Sequence, residues 1–220
     1  MDARLLLFLV VAAVVAAAGA VLHARKRARV RDERGRLFAA VQPLFTDVSV
    51  TQDDVSFPVL TGSRAGHRWR LEPIVDSLTF RKLPVLWLAV TCYAELEVRA
   101  PVSVLLRPTG NEFYSPNARY QHRLPLPDGC PEHARAAAAE PVGDVELGAV
   151  TELLDADRTK EVVLSARGLR VVRQVTEAES GPYRVGRRVD LGAPVLPAAE
   201  IAELCDVLLA TVTDRQAVAR

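Results

Sequence analysis

Apolar positions follow two different regimes along the chain. From Leu5 to Leu22 eighteen consecutive residues carry no charge. At about 1.5 Å per residue a helix of that length reaches roughly 27 Å, close to a hydrocarbon core of about 30 Å. Beyond residue 45 the apolar residues come instead in short stretches with a period near two. "GHRWRLE" sets Trp69 and Leu71 against Arg68, Arg70 and Glu72, the alternation of a half-buried strand. Residues 85–94, "VLWLAVTCYA", are apolar on both faces and predict a central strand, with 95–99 as its more exposed extension.

"VSVLLRPTGNEFYS" predicts a strand, a Pro-Thr-Gly turn and a returning strand. "EVVLSARGLRVVRQV" predicts a hairpin turning near Ala166–Gly168, and Tyr183, Val185, Val189 and Leu191 alternate as in a further strand. Helical spacing is rarer. It occurs over 144–154, with Leu147, Val150 and Leu154 on one face, and over about 197–213. In the latter, Ile201, Leu204, Leu208 and Val212 face inward, with Glu200, Glu203 and Asp206 outward. Leu37, Phe38, Val41 and Leu44 suggest a short amphipathic continuation of the first helix.

The pattern fails between Ser115 and Gly143, where five prolines interrupt it and only "EHARAAAAE" could form a helical turn or two. That predicts a long loop. The expected architecture is α+β: a single N-terminal transmembrane helix, then a domain with a mainly antiparallel β-sheet and a few covering helices. The expected divisions are an anchor over 1–24, a basic juxtamembrane helix or linker over 25–45, the domain over 46–214, and a tail over 215–220.

Charge distinguishes the readings of the first run. Ala18-Gly19-Ala20 fits a signal-peptidase site, which would make the protein an exported envelope component. Yet the preceding "MDAR" is weakly basic, whereas Arg25, Lys26, Arg27, Arg29, Arg31, Arg34 and Arg36 follow the run. Basic residues flanking a span stay cytoplasmic, so an uncleaved anchor with a cytoplasmic domain is expected. The same cluster would lie against anionic headgroups. Ala12, Ala16 and Ala20 form a small-residue face on which two such helices could pack.

The formal charge of +1 conceals an uneven distribution: residues 1–45 carry eight basic and three acidic side chains, and the remainder carries 20 basic against 24 acidic. A slightly acidic domain is not expected to bind nucleic acid. Three scattered cysteines, Cys92, Cys130 and Cys205, make no disulfide framework and fit a reducing compartment. Arg far exceeds Lys and Ala is abundant, a composition that suggests a GC-rich bacterial genome.

Phosphate-loop, dinucleotide, serine-hydrolase and zincin motifs are all absent. His122, Cys130 and His133, beside Asp128, include a Cys-x-x-His spacing that zinc could use, but a fourth ligand is missing. Glu112, Tyr114, Ser115 and Asp76 lie near strand ends, where catalytic groups often sit. Phe113 and Tyr114 could form a binding surface, although two aromatics at a strand more often divide between core and rim, and Arg184, Arg187 and Arg188 could read phosphate or carboxylate. No cofactor is indicated. A membrane-tethered domain that binds a protein partner or small ligand is the preferred expectation, with a tethered enzyme as its rival.

Overall fold

The computed structural model describes residues 3–77, 83–126, 130–142, 151–154, 158–186 and 189–218. Helix α1, Ala3–Gly35, is long and apolar enough to cross a membrane, and none of its apolar stretch is buried against the rest of the protein. No proline interrupts it. Two 3-10 turns, Arg36–Phe38 and Gln42–Leu44, lead from it into the domain. Leu37, Phe38 and Val41 are fully buried there, so the end of the segment expected as a juxtamembrane helix or linker packs into the core.

Among the described residues nine strands follow: β1 Thr46–Thr51, β2 Val59–Arg64, β3 His67–Asp76, β4 Val85–Tyr93, β5 Val102–Leu105, β6 His122–Leu124, β7 Arg135–Ala138, β8 Thr159–Ser165 and β9 Gly168–Glu177. They form one sheet in the order β1-β2-β3-β4-β9-β8-β5-β7-β6, with every neighbouring pair antiparallel. The fold is α+β, as the alternation and final helical period imply.

Two hairpins fix much of the register. Between paired Arg64 and His67, Ala65 and Gly66 both have positive φ, 50° and 77°. This backbone sense matches the right-handed twist of the strands it joins. The β8–β9 hairpin closes with Ser165 opposite Gly168. Gly168 has φ 131°, and a Cβ there would lie 2.1 Å from the Cys92 carbonyl oxygen, so this position requires glycine. After β4 the chain leaves the sheet and passes this hairpin tip, where Ala94 N–H donates to Arg167 O and Leu96 N–H to Ala166 O. The expected strand extension over 95–99 therefore does not form.

One face of the sheet carries the core. Trp69 and Leu71, Leu86, Leu88 and Val90, Val102 and Val104, Val162 and Leu164, and Leu169 and Val171 alternate toward it. Helix α4, Ala198–Val218, covers it with Ile201, Leu204, Leu208 and Val212, all buried as the period implies. Its outer Asp206 pairs with Arg64 at 2.6 Å, tying the helix to the β2–β3 hairpin. The short helix α2, Thr151–Leu154, adds buried Leu153 and Leu154; the rest of the helix expected over 144–154 lies outside the described residues.

Four further expectations need correction. "EHARAAAAE" contributes strand β7 rather than a helix, although alanine has the highest helix propensity. Ala136, Ala137 and Ala138 are buried between β5 and β6, where packing and ladder pairing outweigh local preference. Together with β6 and a 3-10 turn at Asn117–Arg119, it puts ordered structure within the segment expected as one long loop.

The strand expected to return at 112–115 is irregular chain instead. The run expected as a strand from Tyr183 begins as helix α3, Ser180–Gly186, with Pro182 in its first turn. Proline fits there because an N–H in that turn needs no helical partner.

Candidate functional site

The opposite sheet face mixes polar and apolar residues. Its cross-strand neighbours include Arg70, Thr91, Arg170, Val163 and Ser103 in one row, with Glu72, Ala89, Val172, Glu161 and Leu105 in the next. The irregular chain after β5 runs over part of this face. Tyr114 lies against Trp87 of β4, their ring centres 6.4 Å apart, and Phe113 meets Tyr114 edge-on at 5.4 Å. The two aromatics divide as expected, with Phe113 57 % exposed and the Tyr114 hydroxyl buried.

Glu161 sits beneath this chain and is fully buried. Its Oε1 accepts hydrogen bonds from Ser103 Oγ at 2.7 Å and Ser115 Oγ at 2.5 Å. Asn117 completes the lattice by donating from Nδ2 to Ser103 O, Ser103 Oγ and Arg135 O, while its N–H donates to Ser115 Oγ. Arg123 donates to Asn117 Oδ1 at 3.3 Å. The amide thus bolts the covering chain to β5 and β7.

Glu161 Oε2, Tyr114 Oη and Trp87 Nε1 have no hydrogen-bond partner among the described residues. Burial pushes the Glu161 carboxyl up, against the opposing pull of the two serine hydroxyls and Arg170. Burial also raises the Tyr114 phenol, and the carboxylates of Asp76, Glu112 and Glu161 push it in the same direction.

A second carboxylate behaves in the opposite way. Glu112 Oε1 accepts from Thr109 N–H at 2.5 Å, Thr109 Oγ1 at 2.7 Å and Lys160 Nζ at 2.8 Å, and Oε2 accepts from Gly110 N–H at 3.0 Å. Burial alone would raise this carboxyl, but the Lys160 ammonium and Thr109 donors outweigh it and hold it at about 2. Lys160 also donates to Arg107 O at 2.7 Å and stands 5.7 Å from the centre of the Trp87 ring.

Beside this network lies a cleft of about 380 Å³, lined by Leu105, Asn111, Phe113, Ala118 and Arg135 together with Glu112, Ser115 and Asn117. The last three are engaged in the internal bonds just described. Arg135 and Asn111 lie on the cleft's exposed rim.

No family model, curated protein or solved structure matches the chain.

Glu112, Tyr114 and Ser115, neighbours in sequence, fall around this one cluster, and Asp76 of the distant strand β3 is near enough to act on the Tyr114 phenol. Glu161, Ser103, Asn117, Lys160 and Trp87 were not singled out by pattern. The available signal was Glu161 itself, a carboxylate on the same strand face as Val163 and directly before the apolar run Val162–Leu164.

His122, Cys130 and His133 are not gathered: among the described residues no group of three or more His, Cys, Asp or Glu side chains is placed to hold a metal ion. Asp128 lies outside the described residues. Arg184 is exposed on α3, and Arg187 and Arg188 are also outside the described residues. Cys92 and Cys205 are fully buried, which pushes both thiols up to about 12, and burial raises partly buried Cys130 as well. The seven residues of the basic cluster all lie on or just beyond the last turns of α1.

Proposed function

We propose that this is a single-pass protein of a bacterial plasma membrane whose cytoplasmic domain binds a small ligand or protein partner. The observation that carries the anchoring reading is the apolar stretch of α1, which the domain leaves uncovered. A soluble protein exposing Leu7, Phe8, Leu9, Val10 and Val11 along one helix would present an aggregation-prone surface; lipid removes that cost. The basic residues that follow support cytoplasmic placement. A cleaved signal would instead leave the domain outside.

Binding is preferred to catalysis because the Glu112, Ser115 and Asn117 polar groups bond to one another and to the sheet. A floor whose Glu112, Ser115 and Asn117 groups are already bonded, with an exposed aromatic at its rim, suits recognition. Anchoring would concentrate the domain beside membrane partners.

The full chain in nanodiscs should gain thermal stability from a subset of cellular small molecules. Ala118→Trp, which fills the cleft from its exposed side, should abolish that gain without lowering basal stability. Equal stabilisation of both chains would refute the cleft as the binding site.

A further inference from the structure

We infer that Arg25, Lys26 and Arg31 are the members of the basic run that contact anionic lipid headgroups, and that a rigid joint holds the domain against that surface. The inference rests on the anchoring reading and divides a cluster that sequence treats as uniform.

Four of the seven basic residues are engaged within the protein. Arg27 grips Asp54 with two nitrogens, Nε to Oδ1 at 2.9 Å and Nη2 to Oδ2 at 2.7 Å. Arg34 donates to Val55 O at 2.6 Å, and its guanidinium lies 4.9 Å from the centre of the Phe57 ring. Arg29 pairs with Glu33 at 2.7 Å and Arg36 with Asp32 at 2.6 Å, one helical turn apart in each case. Arg25, Lys26 and Arg31 make no ion pair among the described residues.

The engaged residues build the joint. Arg27 and Arg34 are seven positions apart and therefore share a helix face. Between them, the Arg31 carbonyl accepts from Gln52 Nε2 at 2.9 Å, and the same amide donates to Ser56 O at 2.8 Å. Asp54 adopts φ 46°, a left-handed conformation that aspartate tolerates better than most residues. Phe57 then carries the contact into the core, where it is 7 % exposed. Thus α1 meets the domain through two turns of fixed contacts.

Distance along the helix identifies the partner. Arg27 lies five residues beyond Leu22, about 7.5 Å, so the segment it grips begins at headgroup depth. Arg25 and Lys26 lie about 4.5 and 6 Å beyond Leu22. Arg31 is about 13.5 Å away, but helical side chains lean toward the N-terminus, here toward the membrane. Three unneutralised cations at this depth match a phosphodiester surface in charge and position.

The test uses the full chain in nanodiscs with spin-labelled phosphatidylglycerol or phosphatidylcholine, reading the motionally restricted fraction of each. The expected result is a several-fold preference for phosphatidylglycerol that falls to near one in R25Q/K26Q/R31Q and survives in R27A. A preference unchanged by the triple substitution, or abolished by R27A alone, overturns the assignment. Absence of any preference in the unmodified chain also overturns it. Carbonate extraction run in parallel separates the two ideas, because release of the unmodified chain refutes anchoring itself, whereas lost lipid preference in a retained chain refutes only this inference.

Discussion

Replacing Glu161 by Gln should leave the protein at least as stable as before at pH 8, whereas Glu161→Ala should damage it badly. The side chain is fully buried, and one oxygen accepts from both Ser103 and Ser115. Glutamine keeps an acceptor in that position. It also removes the cost of ionising a buried carboxyl that burial already pushes up. The change should fall within about 1 kcal/mol of zero, or stabilise.

Alanine leaves two buried hydroxyl donors without their acceptor, each costing about 1–3 kcal/mol, and empties side-chain volume besides. A total loss of about 3–6 kcal/mol is expected on those terms. The sign with pH follows from the raised carboxyl. Its stabilising contribution is full below the ordinary carboxylate range and is lost as pH rises through the folded-state value. The advantage of Gln should therefore grow from pH 5 to pH 8.

Urea unfolding of the full chain in one detergent, at those two pH values, measures both effects. A loss above about 2 kcal/mol for Gln at pH 8 would show that an ionised Glu161 is required, with Arg170 as its counter-charge, and would refute the neutral-acid account.

Lys160→Met should cost about 3–5 kcal/mol by leaving the Glu112 carboxylate without its buried partner, read by the same unfolding assay. In the unmodified chain, Glu112 contributes stability above about 4.5 that is lost as pH falls toward about 2; in the variant that acid limb should move to higher pH. Gly168→Ala should destabilise by several kcal/mol because its Cβ would collide with the Cys92 carbonyl at a positive φ; a change below about 0.5 kcal/mol would contradict the hairpin geometry. Leu208→Ala should cost about 2–5 kcal/mol and Glu203→Ala less than about 0.5, since only Leu208 faces the sheet.

Elements whose local pattern agrees with their packing were legible in the sequence. Strand β4 reads as central because both its faces are apolar, and α4 reads as a helix because its buried residues recur every three or four positions. Strand β7 was hidden because three alanines favour a helix locally, and only partners distant in sequence, Val102–Leu105 and His122–Leu124, make them a strand.

The candidate site was legible in part. Glu112, Tyr114 and Ser115 stand out in the sequence as polar residues near strand ends. Glu161, however, acquires its chemistry from two serines 58 and 46 residues away, which periodicity cannot supply. The division of the basic run was equally hidden, since Arg27 and Arg25 differ only in which helix face meets Asp54.

The most direct test of the account is the side of the membrane on which the domain lies. Arg167 stands exposed at the tip of the β8–β9 hairpin, and Cys92 and Cys205 are fully buried, so Arg167→Cys in a Cys130→Ser chain gives one accessible thiol. In sealed spheroplasts this thiol should resist a membrane-impermeant maleimide and react fully once the membrane is opened. Labelling in the sealed state would place the domain outside and contradict a cytoplasmic binding protein.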